Sequence, residues 1–170
     1  MSFSNKSGFE NRVVIGLAEF TATKRLDVVL ATYSLGSCLG VAIYDPVARV
    51  GGLLHAMLPD SNLDPVKAAR QPGMFLDTGL EGLLAAAVKL GASPMRLQVY
   101  IAGGAQIMDN SGFFSIGKRN YSACQELLPK LGLTVKAEHV GGLVNRTMYL
   151  QMFSGEVFLK VSGQSKESSL

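Results

Sequence analysis

One cysteine and one histidine in the sequence have the types and spacing of a nucleophile and its base. Cys38 follows Gly36 and Ser37 in a turn of small residues, between two apolar runs typical of strands. His55 lies in the next strand-like run, residues 50–57. Consecutive strands with a short connection usually pair, so the two side chains are expected to meet. A thiol needs a neighbouring imidazole or a positive dipole to form a thiolate at neutral pH, and such a pair catalyses acyl transfer.

The turn before Cys38 also has the features of an oxyanion site. Gly36 permits unusual backbone angles and the close approach of a substrate. The backbone N–H groups of Ser37 and Cys38 are then expected to point at a developing oxyanion, as the donors of acyl-transfer sites do. We therefore take Gly36 and Ser37 as candidate substrate-binding residues.

Structural roles also account for these residues. A free cysteine beside glycine at the start of an apolar strand is commonly a small buried hydrophobe, and a histidine in an apolar run is commonly a core residue. The other histidine, His139, ends a distant predicted strand, and nothing in the sequence brings it near Cys38. Spacing alone leaves both a Cys38–His55 pair and two core residues open.

Other classes of site find little support. The two Cys and two His match no zinc-ligand spacing, and there is no C-x-x-C motif or phosphate-binding glycine loop, so neither a metal nor a cofactor is predicted. The basic residues behind the net charge of +3 are scattered and tryptophan is absent, which argues against nucleic-acid binding. The sequence has no apolar run of about 20 residues and no signal peptide, which indicates a cytoplasmic protein that is not inserted in a membrane.

The elements that must position these residues are mostly strands. The strand predictions cover residues 13–20, 26–33, 39–44, 51–57, 97–101, 134–139, 146–153 and 156–161, with a hairpin between the last two. One helix is predicted at 75–90, and a second is predicted to begin with Asn120 as its cap. The polar ends, 1–11 and 163–170, are expected to be loose tails around a single domain at 12–162. This pattern predicts an α/β (α+β) fold.

These motifs, taken together, resemble the CheD family of chemoreceptor glutamine deamidases. A single short motif is weak evidence, but an ordered set across the whole predicted domain is specific. The set comprises Leu35-Gly36-Ser37-Cys38, His55-Ala56-Met57-Leu58-Pro59, Thr78-Gly79-Leu80, Gly103-Gly104-Ala105, Ile116-Gly117-Lys118-Arg119-Asn120, and Gly141-Gly142 followed by Arg146. The sequence departs from the family pattern at Gln106 and Asn145, which bears on substrate fit more than on the chemistry.

The resemblance implies a role for each site residue. In that family the cysteine is the nucleophile, the histidine is its base, and a threonine on the preceding strand orients the histidine; Thr32 matches that position. The implied fold is a mixed β-sheet sandwich with flanking helices, related to cytotoxic necrotizing factor-type cysteine hydrolases. The implied activity is that of a protein-glutamine glutaminase, which hydrolyses glutamine side chains on the cytoplasmic helices of chemoreceptors to glutamate through a Cys38 thioester.

Two other functions remain open for the same chain. The family also binds a CheC phosphatase, so one alternative is a non-catalytic chemotaxis adaptor in which Cys38 is inert. Alternatively, the same acyl-transfer chemistry suits a methylesterase that acts on methylated receptor glutamates. Thiol reactivity distinguishes the adaptor from an enzyme, and a comparison of substrates distinguishes the two enzymes.

Overall fold

The computed structural model describes residues 11–106 and 115–170, which form two β-sheets and three α-helices. The strands are β1 Asn11–Val14, β2 Phe20–Thr23, β3 Val28–Leu35, β4 Leu39–Asp45, β5 Val50–Ala56, β6 Gln98–Gly103, β7 Val135–Val140, β8 Arg146–Gln151, β9 Val157–Val161 and β10 Ser168–Ser169. The helices are α1 Pro65–Arg70, α2 Leu76–Lys89 and α3 Ile116–Lys130. No helix among the described residues is both long enough and apolar enough to cross a membrane.

The two sheets pack face to face. The first has the strand order β1-β3-β8-β9-β10 and the second the order β2-β5-β4-β6-β7. Neighbouring strands are antiparallel except β1 with β3 and β6 with β7, which are parallel. The mixed α+β class predicted from the sequence, with its β-sheet sandwich and flanking helices, is confirmed.

The central strand β4 divides the core into two layers. Its odd-numbered residues, among them Leu39 and Val41, pack with apolar residues of α2 and α3. Its even-numbered residues Ala42 and Tyr44 pack against the first sheet. Because side chains alternate along a strand, every residue of β4 is buried on one side or the other. This explains why the strand reads as a continuous apolar run.

The single strand predicted at 13–20 is wrong, because the chain changes sheets there. β1 lies in the first sheet and β2 in the second. Between them the Gly16 N–H donates to the Glu19 carboxylate at 2.7 Å, and the Glu19 N–H returns to the Gly16 carbonyl at 3.2 Å. Ala18, within this turn, has a positive φ of 62°. The turn therefore carries the chain across the sandwich.

The ends of the chain also differ from the expected tails. Ser168–Ser169 pairs antiparallel with β9, and the Leu170 N–H donates to the Val157 carbonyl at 2.9 Å. At the other end, Asn11 is the first residue of β1 and pairs with Val28 of β3. Residues 1–10 of the expected tail lie outside the described residues. The end of the chain thus adds an edge strand to the first sheet.

A buried carboxylate, Asp45, anchors the end of β4 that lies farther from Cys38. Asp45 accepts hydrogen bonds from the backbone N–H groups of Val47, Ala48 and Ser93 and from the Arg96 guanidinium at 2.8 to 3.1 Å. Burial alone would raise the pKa of Asp45, but these donors hold that pKa well below its usual range. The connection from β4 to β5 therefore depends on an ionised side chain.

We expect Asp45→Ala to lower the free energy of unfolding by about 2 kcal/mol or more, because several backbone donors lose their acceptor at once. The measurement is urea denaturation, in which the midpoint falls while the slope stays unchanged. Asp27→Ala is the matched control, since Asp27 forms an exposed ion pair with Arg25. Equal midpoints for the two variants would contradict a structural role for Asp45.

Candidate active site

A hydrogen bond between the two sheets orients His55. Thr32 on β3 of the first sheet and His55 on β5 of the second both face the interior of the sandwich, and both are buried. The Thr32 Oγ1 atom lies 2.7 Å from His55 Nδ1 and 2.7 Å from the Ile15 carbonyl oxygen. The threonine hydroxyl therefore joins the histidine to the backbone just beyond β1.

These two contacts determine which nitrogen of His55 carries the proton. A carbonyl oxygen only accepts, so the single hydroxyl proton of Thr32 must go to Ile15. The hydroxyl oxygen then accepts a proton from Nδ1, which makes His55 the Nδ1–H tautomer. Its Nε2 atom is buried and has no hydrogen-bond partner among the residues that the structure describes. The free lone pair of a base is thus left at Nε2.

Strand register places Cys38 beside this base. Gly40 on β4 is directly opposite His55 on β5, and Cys38 precedes Gly40 by two residues on the same face. Diagonal neighbours of this kind have side chains about 7–8 Å apart. No hydrogen bond joins the thiol to His55 Nε2, and the Cys38 side chain is partly exposed. The two groups are therefore neighbours on one face with no hydrogen bond between them.

The backbone of the cysteine turn is anchored through its carbonyl groups. All three carbonyl oxygens accept hydrogen bonds from elsewhere in the chain: Gly36 from Ala105 N at 2.8 Å, Ser37 from Asn120 Nδ2 at 3.0 Å, and Cys38 from Gly104 N at 2.9 Å. Within the described part of the chain, the N–H groups of Ser37 and Cys38 donate to no backbone carbonyl. Both remain candidate donors to an oxyanion.

Gly103 permits the close approach that this anchoring requires. Its φ is +111°, and a Cβ atom at this position would lie 2.1 Å from the Cys38 carbonyl oxygen. Any other residue would push the cysteine turn away from β6. The glycine pair Gly103-Gly104 therefore supports the turn that carries Cys38.

A buried arginine, for which the sequence analysis predicted no role, supports the same region. Arg146 donates to the carbonyls of Gly103 at 3.3 Å and Gly141 at 2.7 Å, and its Nε donates to His139 Nδ1 at 2.7 Å. His139 is thus the partner of Arg146, and burial lowers the pKa of both groups. The family motif contained this arginine, but no local pattern pairs it with His139.

Asn120 has a different role from the one predicted. It lies inside α3, which begins at Ile116, so the prediction that Asn120 caps this helix is wrong. Its Nδ2 group donates to the carbonyls of Ser37 and Met57, both at 3.0 Å. The sequence contained no signal for these contacts, because they join segments more than sixty residues apart.

Burial sets the protonation states of the two reactive side chains. It lowers the pKa of His55 to about 4 and raises the pKa of the Cys38 thiol. At neutral pH the resting pair is accordingly a thiol and a neutral imidazole. Cys124 is completely buried, and burial raises the pKa of its thiol to about 12. Only Cys38 combines partial exposure with a neighbouring base among the described cysteines.

The structure combines a two-sheet α+β fold with a cysteine beside a histidine that is hydrogen-bonded to threonine. This combination is typical of the class of proteins with a Cys–His acyl-transfer site, for which the present site is a candidate. Residues 57–161 match the family model described as CheD chemotactic sensory transduction. The chain belongs to the CheD family.

Relatives of the chain cover almost its whole length. It is 44% identical to the "Probable chemoreceptor glutamine deamidase CheD" of Solibacter usitatus, over 92% of each chain. It is 44% identical to the Syntrophus aciditrophicus protein "Probable chemoreceptor glutamine deamidase CheD 1", over 89% of this chain and 94% of the relative. The Pyrococcus horikoshii relative, with the same name as the first, is 40% identical over 91% of this chain and 94% of its own.

Among solved structures, the chain is similar to Neisseria meningitidis protein NMB0706. The sequence identity is 10%, the TM-score is 0.49, and the match covers 79% of this chain and 65% of the other. This likeness is too distant to bear on the expected relation to cytotoxic necrotizing factor hydrolases.

The buried neutral histidine predicts a dependence of stability on pH. The folded-state pKa of His55 is about 4 and the ordinary value is 6.5, so between these values the unfolded chain binds a proton that the folded chain does not. The free energy of unfolding should therefore rise with pH across this window, with His55 contributing up to about 3 kcal/mol. Chemical denaturation at several pH values measures this rise.

His55→Asn should flatten this dependence. His139→Asn is the matched control and should remove a smaller part, since His139 is more exposed and its pKa is lowered less strongly. An unchanged slope in His55→Asn would show that His55 is not buried in its neutral form.

Proposed function

We propose that this protein is a protein-glutamine deamidase that converts glutamine side chains of chemoreceptors to glutamate. In this proposal Cys38 is the nucleophile, His55 is its base, and Thr32 orients the base. The hydrogen bond from His55 Nδ1–H to Thr32 carries the proposal, because it leaves a free lone pair at Nε2 on the face shared with Cys38. The relatives' names, probable chemoreceptor glutamine deamidases, supply the substrate.

The first half-reaction makes a thioester. Cys38 Sγ forms a bond to the carboxamide carbon while its proton moves to His55 Nε2. The resulting oxyanion accepts hydrogen bonds from the N–H groups of Ser37 and Cys38. The imidazolium then gives its proton to the amide nitrogen, the C–N bond breaks, and ammonia leaves.

The second half-reaction hydrolyses the thioester. Water attacks the acyl carbon as His55 Nε2 accepts one of its protons, and a second tetrahedral intermediate forms. This intermediate collapses with cleavage of the bond to sulfur, and the proton returns from His55 to the Cys38 thiolate. The product is a glutamate side chain, so the target has exchanged a neutral amide for a carboxylate. No cofactor takes part in these steps.

The lowered pKa of His55 acts on the two proton transfers in opposite directions. The imidazole is neutral at physiological pH, so Nε2 can accept the thiol proton, but burial makes it a weaker base. The same burial makes the imidazolium a better acid, which favours protonation of the departing nitrogen. The Thr32 oxygen remains as the acceptor for Nδ1–H throughout, which keeps the ring in one orientation.

The proposal extends to the surroundings of the enzyme. Its substrates are the cytoplasmic helices of chemoreceptors, which places the protein in the cytoplasm. A CheC-type phosphatase is a second proposed partner. The partial exposure of Cys38 suits a site that must receive a side chain from another protein.

The first test uses a cytoplasmic chemoreceptor fragment incubated with wild-type protein, Cys38→Ala or Cys124→Ala. Peptide mass spectrometry should detect conversion of glutamine to glutamate with the wild type and with Cys124→Ala, and none with Cys38→Ala. Cys124→Ala is the matched control because it removes the other thiol among the described residues.

The same experiment distinguishes the alternative functions. A fragment that binds the wild-type protein but is never converted would favour the non-catalytic adaptor. Loss of methyl groups from methylated receptor glutamates, without deamidation, would favour the methylesterase.

We expect Thr32→Val to reduce kcat by about 10- to 100-fold. Valine keeps the shape of threonine but offers no oxygen to His55 Nδ1, so the tautomer and ring orientation are no longer held. Deamidation kinetics on the receptor fragment measure the loss, and KM should change little because Thr32 is completely buried. Thr147→Val on β8 is the control, since Thr147 lies on the strand next to β3 but outside this hydrogen-bond chain. Equal effects of the two substitutions would rule out a specific role for Thr32.

A further inference from the structure

Asn120 is the side chain that links the nucleophile segment to the base segment. Its Nδ2 group donates to the carbonyl of Ser37, the residue before Cys38, and to the carbonyl of Met57, two residues after His55. Asn120 is buried within α3, so one rigid helix holds both segments. These contacts suggest a function different from stabilising the helix itself.

The two carbonyl partners determine the orientation of the Asn120 amide. Both accept and neither donates, so only the NH₂ group can face them. This leaves Asn120 Oδ1 buried, with no hydrogen-bond partner in residues 11–106 and 115–170. An unpaired buried acceptor carries a desolvation cost that an apolar side chain at this position would avoid. The two donated hydrogen bonds are therefore the feature of asparagine that this site uses.

The bonds act where the strand pairing ends. β4 begins at Leu39 and β5 ends at Ala56, which is the partner of Leu39. Ser37 and Met57 lie just outside this last pair, where no ladder hydrogen bond fixes their separation. Asn120 bridges the two backbone segments at this point and so takes the place of a further hydrogen bond between β4 and β5.

We infer that Asn120 is a positioning residue that sets the distance between Cys38 and His55. This inference rests on the proposed function, because it assumes that His55 activates Cys38. Asn120 touches neither thiol nor imidazole, and its effect passes through the backbone on either side of the pair. Without it, the cysteine turn keeps its other anchors at Gly104 and Ala105 but loses its direct link to the histidine strand.

The test is a double-mutant cycle on the alkylation rate of Cys38 by iodoacetamide near neutral pH, followed by peptide mass spectrometry. In the wild-type background, His55→Ala should slow alkylation by about tenfold or more, because the base is lost. In an Asn120→Ala background, His55→Ala should have little further effect, because the two groups are already uncoupled.

Leu128→Ala provides the matched control. Leu128 is buried on the same helix, in the core layer between the helices and the second sheet. This variant should loosen α3 but retain the full effect of His55→Ala. Cys124, one turn from Asn120, reports in every sample whether α3 remains folded, because a buried thiol stays unlabelled. Asn120→Ser replaces Asn120→Ala if Cys124 becomes labelled in that variant.

Persistence of the full His55→Ala effect in the Asn120 variant would overturn the inference. Its loss in both the Asn120 and Leu128 variants would also overturn it, since a general loosening of the helix would then explain the result. If His55→Ala has no effect in the wild-type background, the proposed base itself fails. On receptor fragments, Asn120→Ala should lower kcat by about 10- to 100-fold with little change in KM.

Discussion

The arrangement of the candidate active site depends on one hydroxyl group that joins the two sheets. The Thr32 hydroxyl donates its single proton to the Ile15 carbonyl, and its oxygen accepts a hydrogen bond from Nδ1–H of His55. A shift of β3 by one residue would turn Thr32 to the other face of its sheet and leave His55 without an acceptor. The packing of the sandwich therefore determines the tautomer of the base, and any account of the site must begin with the register of β3 and β5.

Glycines provide the space in which this arrangement fits. Gly40 is opposite His55, and a Cβ atom there would lie only 2.7 Å from Leu35 and 3.1 Å from Met148. Gly103 gives a similar clearance within the second sheet, where a Cβ atom would overlap the Cys38 carbonyl oxygen. The missing side chain at Gly40 is the one that lets the two sheets approach closely enough for Thr32 to reach the imidazole. The close packing also removes water from around His55, and this desolvation lowers the pKa of the imidazole.

Local patterns in the sequence predicted the fold class, the strand β4, the helix α2 and the β8–β9 hairpin. They also predicted that Cys38 and His55 would be neighbours, because consecutive strands with a short connection pair antiparallel. The resemblance to the CheD family supplied Thr32, which no spacing rule links to His55. The contacts of Asn120 and the pairing of Arg146 with His139 were beyond reach. They depend on how α3 and the loop before β8 pack, and a pattern along one segment carries no information about that packing.

The burial that lowers the pKa of His55 also leaves the resting site without charge. A half-buried thiol with a raised pKa and a neutral imidazole form no ion pair, so the nucleophile is not charged before a substrate arrives. In the proposed mechanism, thiolate formation is coupled to attack on the carboxamide, when the N–H groups of Ser37 and Cys38 stabilise the negative charge of the oxyanion. In this arrangement the transition state, and not the free enzyme, gains the electrostatic stabilisation. In the proposed mechanism the Cys38 thiol therefore reacts with an electrophile as His55 Nε2 takes its proton.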